Sequence, residues 1–486
     1  MKHILLLLFL LPLFSIGQAK KISLEEAILL SQKKSPDYQA AVNKFRSSYW
    51  KYRNYKSSFL PQVSLSATIP SYSEEIKPIE QDNGTQNFQN ISRLNTDLRL
   101  NVSQNVSFTG GTLSLSSNIN RIRNFGDSES TSYFYTPYSI RYSQNSIFYN
   151  RFKWDKKIEP LLNEEAKRNF IEAMENISLK SCNQYFTLLK LQIQAKIAKT
   201  NFANSDTLYK IAQGRFHSGK IAENDLLRME LQYLNAKNNV TNNSISLKKA
   251  SQNLALFLGF ETENLELEIP QNLELFDVKL SKALKEAKSN RKSVIQFRRQ
   301  RLQAEKELAR VKGTNKINLT LDANFGRSSR SSTGIDAVFD NYTKQQGVVL
   351  SMRIPIIDWG LSKSARKIAE ANLDLTNTNI NQDKRNFEQE IELHVLNWSN
   401  QRNLLSISKK AQEIAIKSYE ITKNRYLLGK IEITDLNISL QEKDKAIVTY
   451  LNSLERFWSD YYTLRKLTLF DFRTNKKIKA EDLLFD

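Results

Sequence analysis

The chain has 486 residues, room for about two to four ordinary domains, but only 14 Gly and 9 Pro to punctuate them. The remainder is rich in Lys, Glu, Gln, Asn, Leu and Ala, the composition of long helices rather than of a compact globule. A formal charge of +20, spread along the whole length with Glu and Asp intermixed, argues against nucleic-acid binding and points to anionic lipid headgroups or acidic partner surfaces instead.

Lys2 and His3 precede an apolar run from Ile4 to Phe14, broken only by Pro12, and small residues follow at Ser15, Gly17 and Ala19. This is the pattern of a secretory signal peptide, cleaved after Gly17 or Ala19. The run is too short to cross a bilayer as a helix, and no later stretch offers ~20 consecutive apolar residues, so no transmembrane helix is expected. The single cysteine, Cys182, falls deep in a predicted helix and has no partner for an internal disulfide; it reads as a buried small residue.

Ser23-Leu24-Glu25-Glu26 has the spacing of a capping box and opens a helix reaching about Phe59, kinked or split at Pro36. From Gln62 the apolar period changes to two: Val63, Leu65, Ala67 and Ile69, then Leu98, Leu100, Val102 and Val106, Leu113 and Leu115, and Ile140, Tyr142 and Ile147. Such alternation predicts strands with one apolar and one polar face, with a hairpin turn at Thr109-Gly110-Gly111 and loops or interfacial girdles in the Asn, Ser, Gly and Tyr between. Helical period resumes at Phe152 and holds to Gln213; a second helix follows from about Asn224 to Phe257, then an irregular connector, Glu261 to Val278. A further helix is predicted over Leu280 to Val311. Strands return at Ile317 to Phe325 and Val348 to Ile354. A long helix opens at Trp359 and runs to about Tyr426, its seam of Ile380, Phe387, Ile391, Trp398 and Leu405 spaced like a coiled coil. The last helix spans about Thr434 to Leu467.

The stretch Tyr209 to Leu226 returns 210 residues later as Tyr419 to Leu436, identical at eight positions: Tyr209/Tyr419, Ile211/Ile421, Arg215/Arg425, Gly219/Gly429, Lys220/Lys430, Ile221/Ile431, Asp225/Asp435 and Leu226/Leu436. A repeat of this kind means one structural unit used twice. Each copy is read as the turn of a long helical hairpin: a glycine for positive φ, an arginine placed to satisfy free helix-end carbonyls, and an aspartate at the start of the next helix. Stitching the hairpin would account for all three.

No catalytic constellation is present. His217 and His394 lie in different long-helix regions without metal-ligand spacing, and the glycine pairs do not form a phosphate loop. No enzyme activity, cofactor or metal is expected.

Taken in order, SLEEAILLSQKKSP (23–36), Phe59-Leu60-Pro61, SQNSIFYNRFKW (143–154), SMRIPIIDWG (351–360) and the paired R-[FY]-x-x-G-K-I-x-x-x-D-L resemble the TolC-type outer-membrane efflux family over nearly the whole mature chain. The resemblance implies a mainly α fold with membrane β structure: a long α-helical coiled-coil barrel joined to a trimeric transmembrane β-barrel, with two structural half-repeats per chain. The segments then read as signal peptide (1–19), N-terminal periplasmic helix (20–59), outer-membrane strands of repeat 1 (60–150), helical hairpin of repeat 1 (151–259), equatorial connector and helix (260–312), strands of repeat 2 (313–357), helical hairpin of repeat 2 (358–468) and C-terminal tail (469–486). The implied function is a passive exit duct in a tripartite efflux or secretion system. Its partners would be a homotrimer, a periplasmic adaptor, an inner-membrane transporter and outer-membrane lipid. A structural coiled coil that spans the periplasm without transport is the alternative.

Family members supply four strands each, twelve in the trimer; residues 94 to 123 read as an additional hairpin. Four strands in the barrel, with that hairpin outside it, is preferred here to six. The family also places the hairpin turns at a closed periplasmic tip that docks the adaptor, which marks Arg215, Phe216, Gly219, Arg425, Tyr426 and Gly429. At the gate, Asp225 matches the first-repeat acid and Tyr426 the second-repeat aromatic. The basic partner position is Ile431, with Lys430 adjacent. Asp435 matches one of two acids at the entrance constriction, and the other position is Ile438.

Overall fold

The computed structural model describes residues 20–80, 84–125, 129–260, 265–271 and 276–479; the predicted signal peptide lies outside these, as do parts of the connector and the end of the C-terminal tail. In chain order the elements are β1 (Lys20–Ile22), α1 (Leu24–Lys34), α2 (Pro36–Ser57), β2 (Gln62–Glu80), β3 (Gln86–Val106), β4 (Gly111–Phe125), β5 (Ser130–Gln144), α3 (Arg151–His217), α4 (Glu223–Leu258), β6 (Leu265–Leu267), α5 (Leu280–Asn290), α6 (Lys292–Thr314), β7 (Asn318–Ser331), a 3-10 turn (Asp336–Phe339), β8 (Thr343–Arg353), α7 (Leu361–Leu427), α8 (Ile433–Thr468), β9 (Phe470–Asp471) and β10 (Lys476–Lys477). They form two units: one holds residues up to Lys44, Lys167–Arg291 and Asn386 onward, the other Phe45–Ala166 and Lys292–Arg385.

In the second of these units, six strands make one sheet in the order β2-β3-β4-β5-β7-β8, each neighbour antiparallel. The hairpin over 94 to 123, expected outside the barrel, is continuous with the other four strands in this sheet. β3 and β4 pair without interruption from Ser92↔Phe125 to Val106↔Gly111. The Asn-rich stretch is one face of these strands rather than a loop: the Asn120 side-chain amide donates to Asn95 Oδ1 at 2.7 Å, and Arg93 donates to Asn124 Oδ1 at 3.2 Å. At the β3–β4 turn Gly110 takes φ 93°, and the Asn150 side-chain amide donates to the Ser107 and Phe108 carbonyls, both at 3.0 Å.

In the other unit the predicted capping box forms, with the Glu26 N–H donating to Ser23 Oγ at 3.2 Å. The first helix splits at Ser35, whose extended backbone precedes Pro36 and whose hydroxyl accepts from Tyr38 N–H at 3.1 Å to start α2. The helix predicted as unbroken from Leu280 also splits, at Arg291. There the guanidinium meets Glu390 at 2.8 Å and lies 5.1 Å from the centre of the Phe387 ring. The coiled-coil seam of α7 is buried throughout, from Ile380 to Leu405. Trp398 lies between Phe276 and Phe457, 4.9 Å from the centre of each ring and tilted 32° to both. Cys182 is fully buried, and burial pushes its thiol well up. β1 pairs parallel with β6, and the Tyr185 hydroxyl, 2.6 Å from the Glu268 carbonyl and 3.0 Å from that of Ile22, fastens this pair to α3.

Candidate functional site: the paired helical turns

The two turns close in the same way. Gly219 N–H donates to the Phe216 carbonyl at 2.9 Å and Lys220 N–H to the Arg215 carbonyl at 2.8 Å; Gly429 donates to Tyr426 at 2.9 Å and Lys430 to Arg425 at 3.0 Å. The glycines take φ 66° and 71°. This is the Schellman arrangement, which needs a residue that tolerates the left-handed region. The helix-end carbonyls that the arginine side chains were expected to satisfy are thus satisfied by main-chain N–H groups. Arg215 turns elsewhere: its guanidinium lies 5.8 Å from the centre of the Tyr426 ring. Arg425 is exposed.

The chain then re-enters helix at Glu223 and Ile433, placing Asp225 and Asp435 in the first turns of α4 and α8. Neither preceding residue, Ala222 or Glu432, caps with its side chain. Each carboxylate therefore stands at the positive end of its helix dipole, where a negative charge is favourable.

All four helices meet in one apolar cluster built on Leu208 and Ala212 of α3, Met229 of α4, Tyr419 and Tyr426 of α7, and Leu436 of α8. The repeated Ile221 and Ile431 pack against it from the two turns. Tyr426 is only 9% exposed although it sits in the last helical turn of α7. Burial raises its phenol above the ordinary value; the Arg215 guanidinium pulls the other way, and the Asp225 carboxylate adds to the rise. Of the residues singled out by sequence, Arg215 and Tyr426 are therefore in contact, and Asp225 is near enough for its charge to reach the phenol. Lys430 and Asp435 are exposed, Ile438 is 51% exposed on α8, and Phe216 is 37% exposed at the end of α3; none of these belongs to the cluster. The contact of Arg215 with Tyr426 was not anticipated, since it joins residues far apart in sequence and the repeat aligns Arg215 with Arg425.

A second surface lies on the sheet. The pairings carry one apolar row across it: Val63↔Val102, Val102↔Leu115, Leu115↔Ile140 and Ile140↔Phe325, with Leu321↔Leu350 and Ala323↔Val348 beside it. The opposite face carries Ser64↔Asn101, Asn101↔Ser116 and Ser116↔Ser139. Along the apolar face most of these side chains stay uncovered, from 41% exposure at Ile140 to 74% at Val348, while Val102, Leu321 and Ala323 are half-buried. An apolar band of this extent marks contact with lipid or protein. No helix among the described residues is long and apolar enough to cross a membrane. No group of three or more His, Cys, Asp or Glu that could hold a metal occurs among them either.

Residues 316–458 match the family model described as outer membrane efflux protein. No curated protein matches the chain. Among solved structures, the Campylobacter jejuni CmeC outer membrane channel aligns with TM-score 0.65 and 16% identity over 92% of this chain and 85% of that one. The outer membrane protein VceC from Vibrio cholerae aligns with TM-score 0.63 and 14% identity over 94% and 97%. The open state of the Neisseria gonorrhoeae MtrE outer membrane channel aligns with TM-score 0.61 and 13% identity over 94% and 90%. The TolC-type resemblance thus holds in sequence over residues 316–458 and in fold over nearly all of the chain.

Proposed function

We propose that this chain is one subunit of a trimeric exit duct, passive in itself, that crosses the outer membrane and periplasm as the outer component of a tripartite efflux or secretion system. The two-faced sheet, with its uncovered apolar band on a chain of outer-membrane channel fold, is the observation that carries this reading. Residues 60–150 and 313–357 would supply the membrane wall, and the helical hairpins of the two half-repeats the periplasmic conduit. The driving energy would come from an inner-membrane transporter reached through a periplasmic adaptor docked at the turns around Gly219 and Gly429.

Within the gate, Tyr426 held beside Arg215 and Asp225 would keep the two hairpins of each subunit together. Asp435 would form a single acidic ring in the trimer, and Ile438 an apolar one where a second acid would otherwise stand. Such an entrance selects cations less strongly than one with two acidic rings. A planar-bilayer reversal potential under a salt gradient checks this: weak cation selectivity lost in Asp435→Asn is expected, and strong selectivity untouched by that change contradicts it.

Deleting the gene and assaying sensitivity to antibiotics, dyes and metals, with crosslinking from cysteines placed beside Gly219 and Gly429, tests the duct itself. A transport phenotype and a crosslinked adaptor are expected. A chain that captures no adaptor and whose loss changes no cargo is a structural coiled coil instead.

A further inference from the structure

We infer that all six strands enter the membrane wall, with β8 of one copy pairing antiparallel to β2 of the next, so that three copies close an eighteen-stranded barrel, six strands from each. The inference rests on the trimer proposed above and fixes what that trimer's wall is made of. The alternative it replaces is a wall of four strands per copy with the β3–β4 hairpin set aside.

Four observations carry it. First, the apolar row runs without a gap through β3 and β4, at Leu100, Val102, Leu113 and Leu115, and their other face is as polar as the rest of the sheet. A hairpin outside the wall has no reason to share its lipid-facing band. Second, β2 and β8 are the sheet's two edges, and hydrocarbon tolerates no unpaired strand edge. Six strands are fewer than the roughly eight with which single-chain barrels begin, so the edges must be met by another copy. Third, an even number of antiparallel strands makes β2 and β8 run in opposite directions, and both carry their apolar residues on the same face of the sheet. Head-to-tail pairing therefore preserves the antiparallel pattern and the two faces at every junction.

Fourth, the sheet is already sheared as a barrel wall must be. Following the pairings from Gln62, the first residue of β2, leads through Ser103, Ser114, Arg141 and Asn324 to Gly347, six residues short of Arg353 at the end of β8. With the helix-side strand ends at one level, six residues of about 3.3 Å over five steps of about 4.8 Å slope the strands by about 40°, a usual barrel tilt. Closing eighteen such strands gives a backbone radius of about 18 Å, against about 12 Å for twelve. The outer-membrane passage would then be a wide polar lumen, and the size limit on cargo would fall on the helical part.

The test is a grid of double-cysteine variants, each joining one of Val63→Cys, Leu65→Cys or Ala67→Cys on β2 with one of Val348→Cys, Leu350→Cys or Met352→Cys on β8. The protein is oxidised in native outer membranes. Cys182 is fully buried and does not interfere. Purified wild type is weighed in parallel by native mass spectrometry. A trimer by mass, with at least one pair driving most of the chain into a covalent species of three times its mass, is the expected result. A trimer in which no pair links between copies, or in which a further variant, Val63→Cys with Ile140→Cys, links β2 to β5 within one chain as it would with β3 and β4 set aside, overturns the eighteen-strand wall and leaves the duct standing. A monomer or dimer by mass overturns both.

Discussion

The turn at Gly219 and the turn at Gly429 have the same backbone and bury different side chains. Both glycines close a Schellman cap, and both aspartates open the next helix at the same distance. In the three positions before each glycine the residues diverge: Phe216, His217 and Ser218 in the first are exposed, whereas in the second Tyr426 folds inward and Leu427 and Leu428 stay out. Identity across the repeat therefore records what a reversal of two helices requires. The differences record what each turn does beyond reversing, and in the second turn that is to fill the cluster where all four helices meet.

Truncating the two aromatics should break this comparison most sharply. Tyr426→Ala removes a buried ring and is expected to cost about 3 kcal/mol, while Phe216→Ala, at an exposed position, should stay within about 0.5 kcal/mol. Because the turns can open without global unfolding, amide hydrogen exchange is the suitable measurement. Protection should fall in both hairpins in Tyr426→Ala and in neither in Phe216→Ala. Equal losses in the two variants would mean that the turns are energetically alike. The glycines test the shared part. Gly219→Ala and Gly429→Ala each place a side chain at positive φ and should each cost roughly 1 kcal/mol, and the two costs should agree. The space around both glycines is open, so the penalty is conformational and not steric. A twofold difference between the two would show that one cap is held by more than its own backbone.

Much of this was legible in sequence, for a physical reason that also explains what was not. Periodicity fixes which face of an element is apolar, so the strand alternation, the α7 seam and the paired turns could all be read. Breaks caused by local chemistry were equally visible, as at Ser35 before Pro36. The break at Arg291 carries no such mark, because it is held by Glu390 and Phe387, residues about a hundred positions away. The β3–β4 hairpin reads as strands from its alternation, but alternation does not say which strands are neighbours; the four-strand count implied by the resemblance set it outside the barrel, and only its pairing with β2 and β5 joins it to the one sheet. At the site, the repeat marked Arg215 but assigned it a capping role. Its contact with Tyr426 depends on two hairpins meeting, which no local pattern encodes.

That contact gives the next smaller effect. Arg215→Gln should cost about 0.5–1 kcal/mol through loss of the cation over the Tyr426 ring, whereas Arg425→Gln, at the exposed equivalent, should change turn protection by less than can be measured. If the two variants behave alike, the repeat's arginines act equally and the asymmetry lies in Tyr426 alone.

The smallest effect is a dependence on pH. Burial, with Asp225 adding to it and Arg215 opposing, raises the Tyr426 phenol above its ordinary value, so the packed turn favours the neutral hydroxyl. The stabilisation is therefore complete below the unfolded value near pH ~10 and is lost as pH rises through the folded one. Tyr419 in the same cluster is raised in the same direction, so the signal must be taken as a difference between wild type and Tyr426→Phe. Turn protection in wild type should weaken more steeply above pH ~10 than in Tyr426→Phe, while the two coincide at neutral pH. Identical slopes would mean that the Tyr426 hydroxyl is solvated in both states. A solvated hydroxyl does not fit a ring sealed among four helices, and the second turn would then be as open as the first.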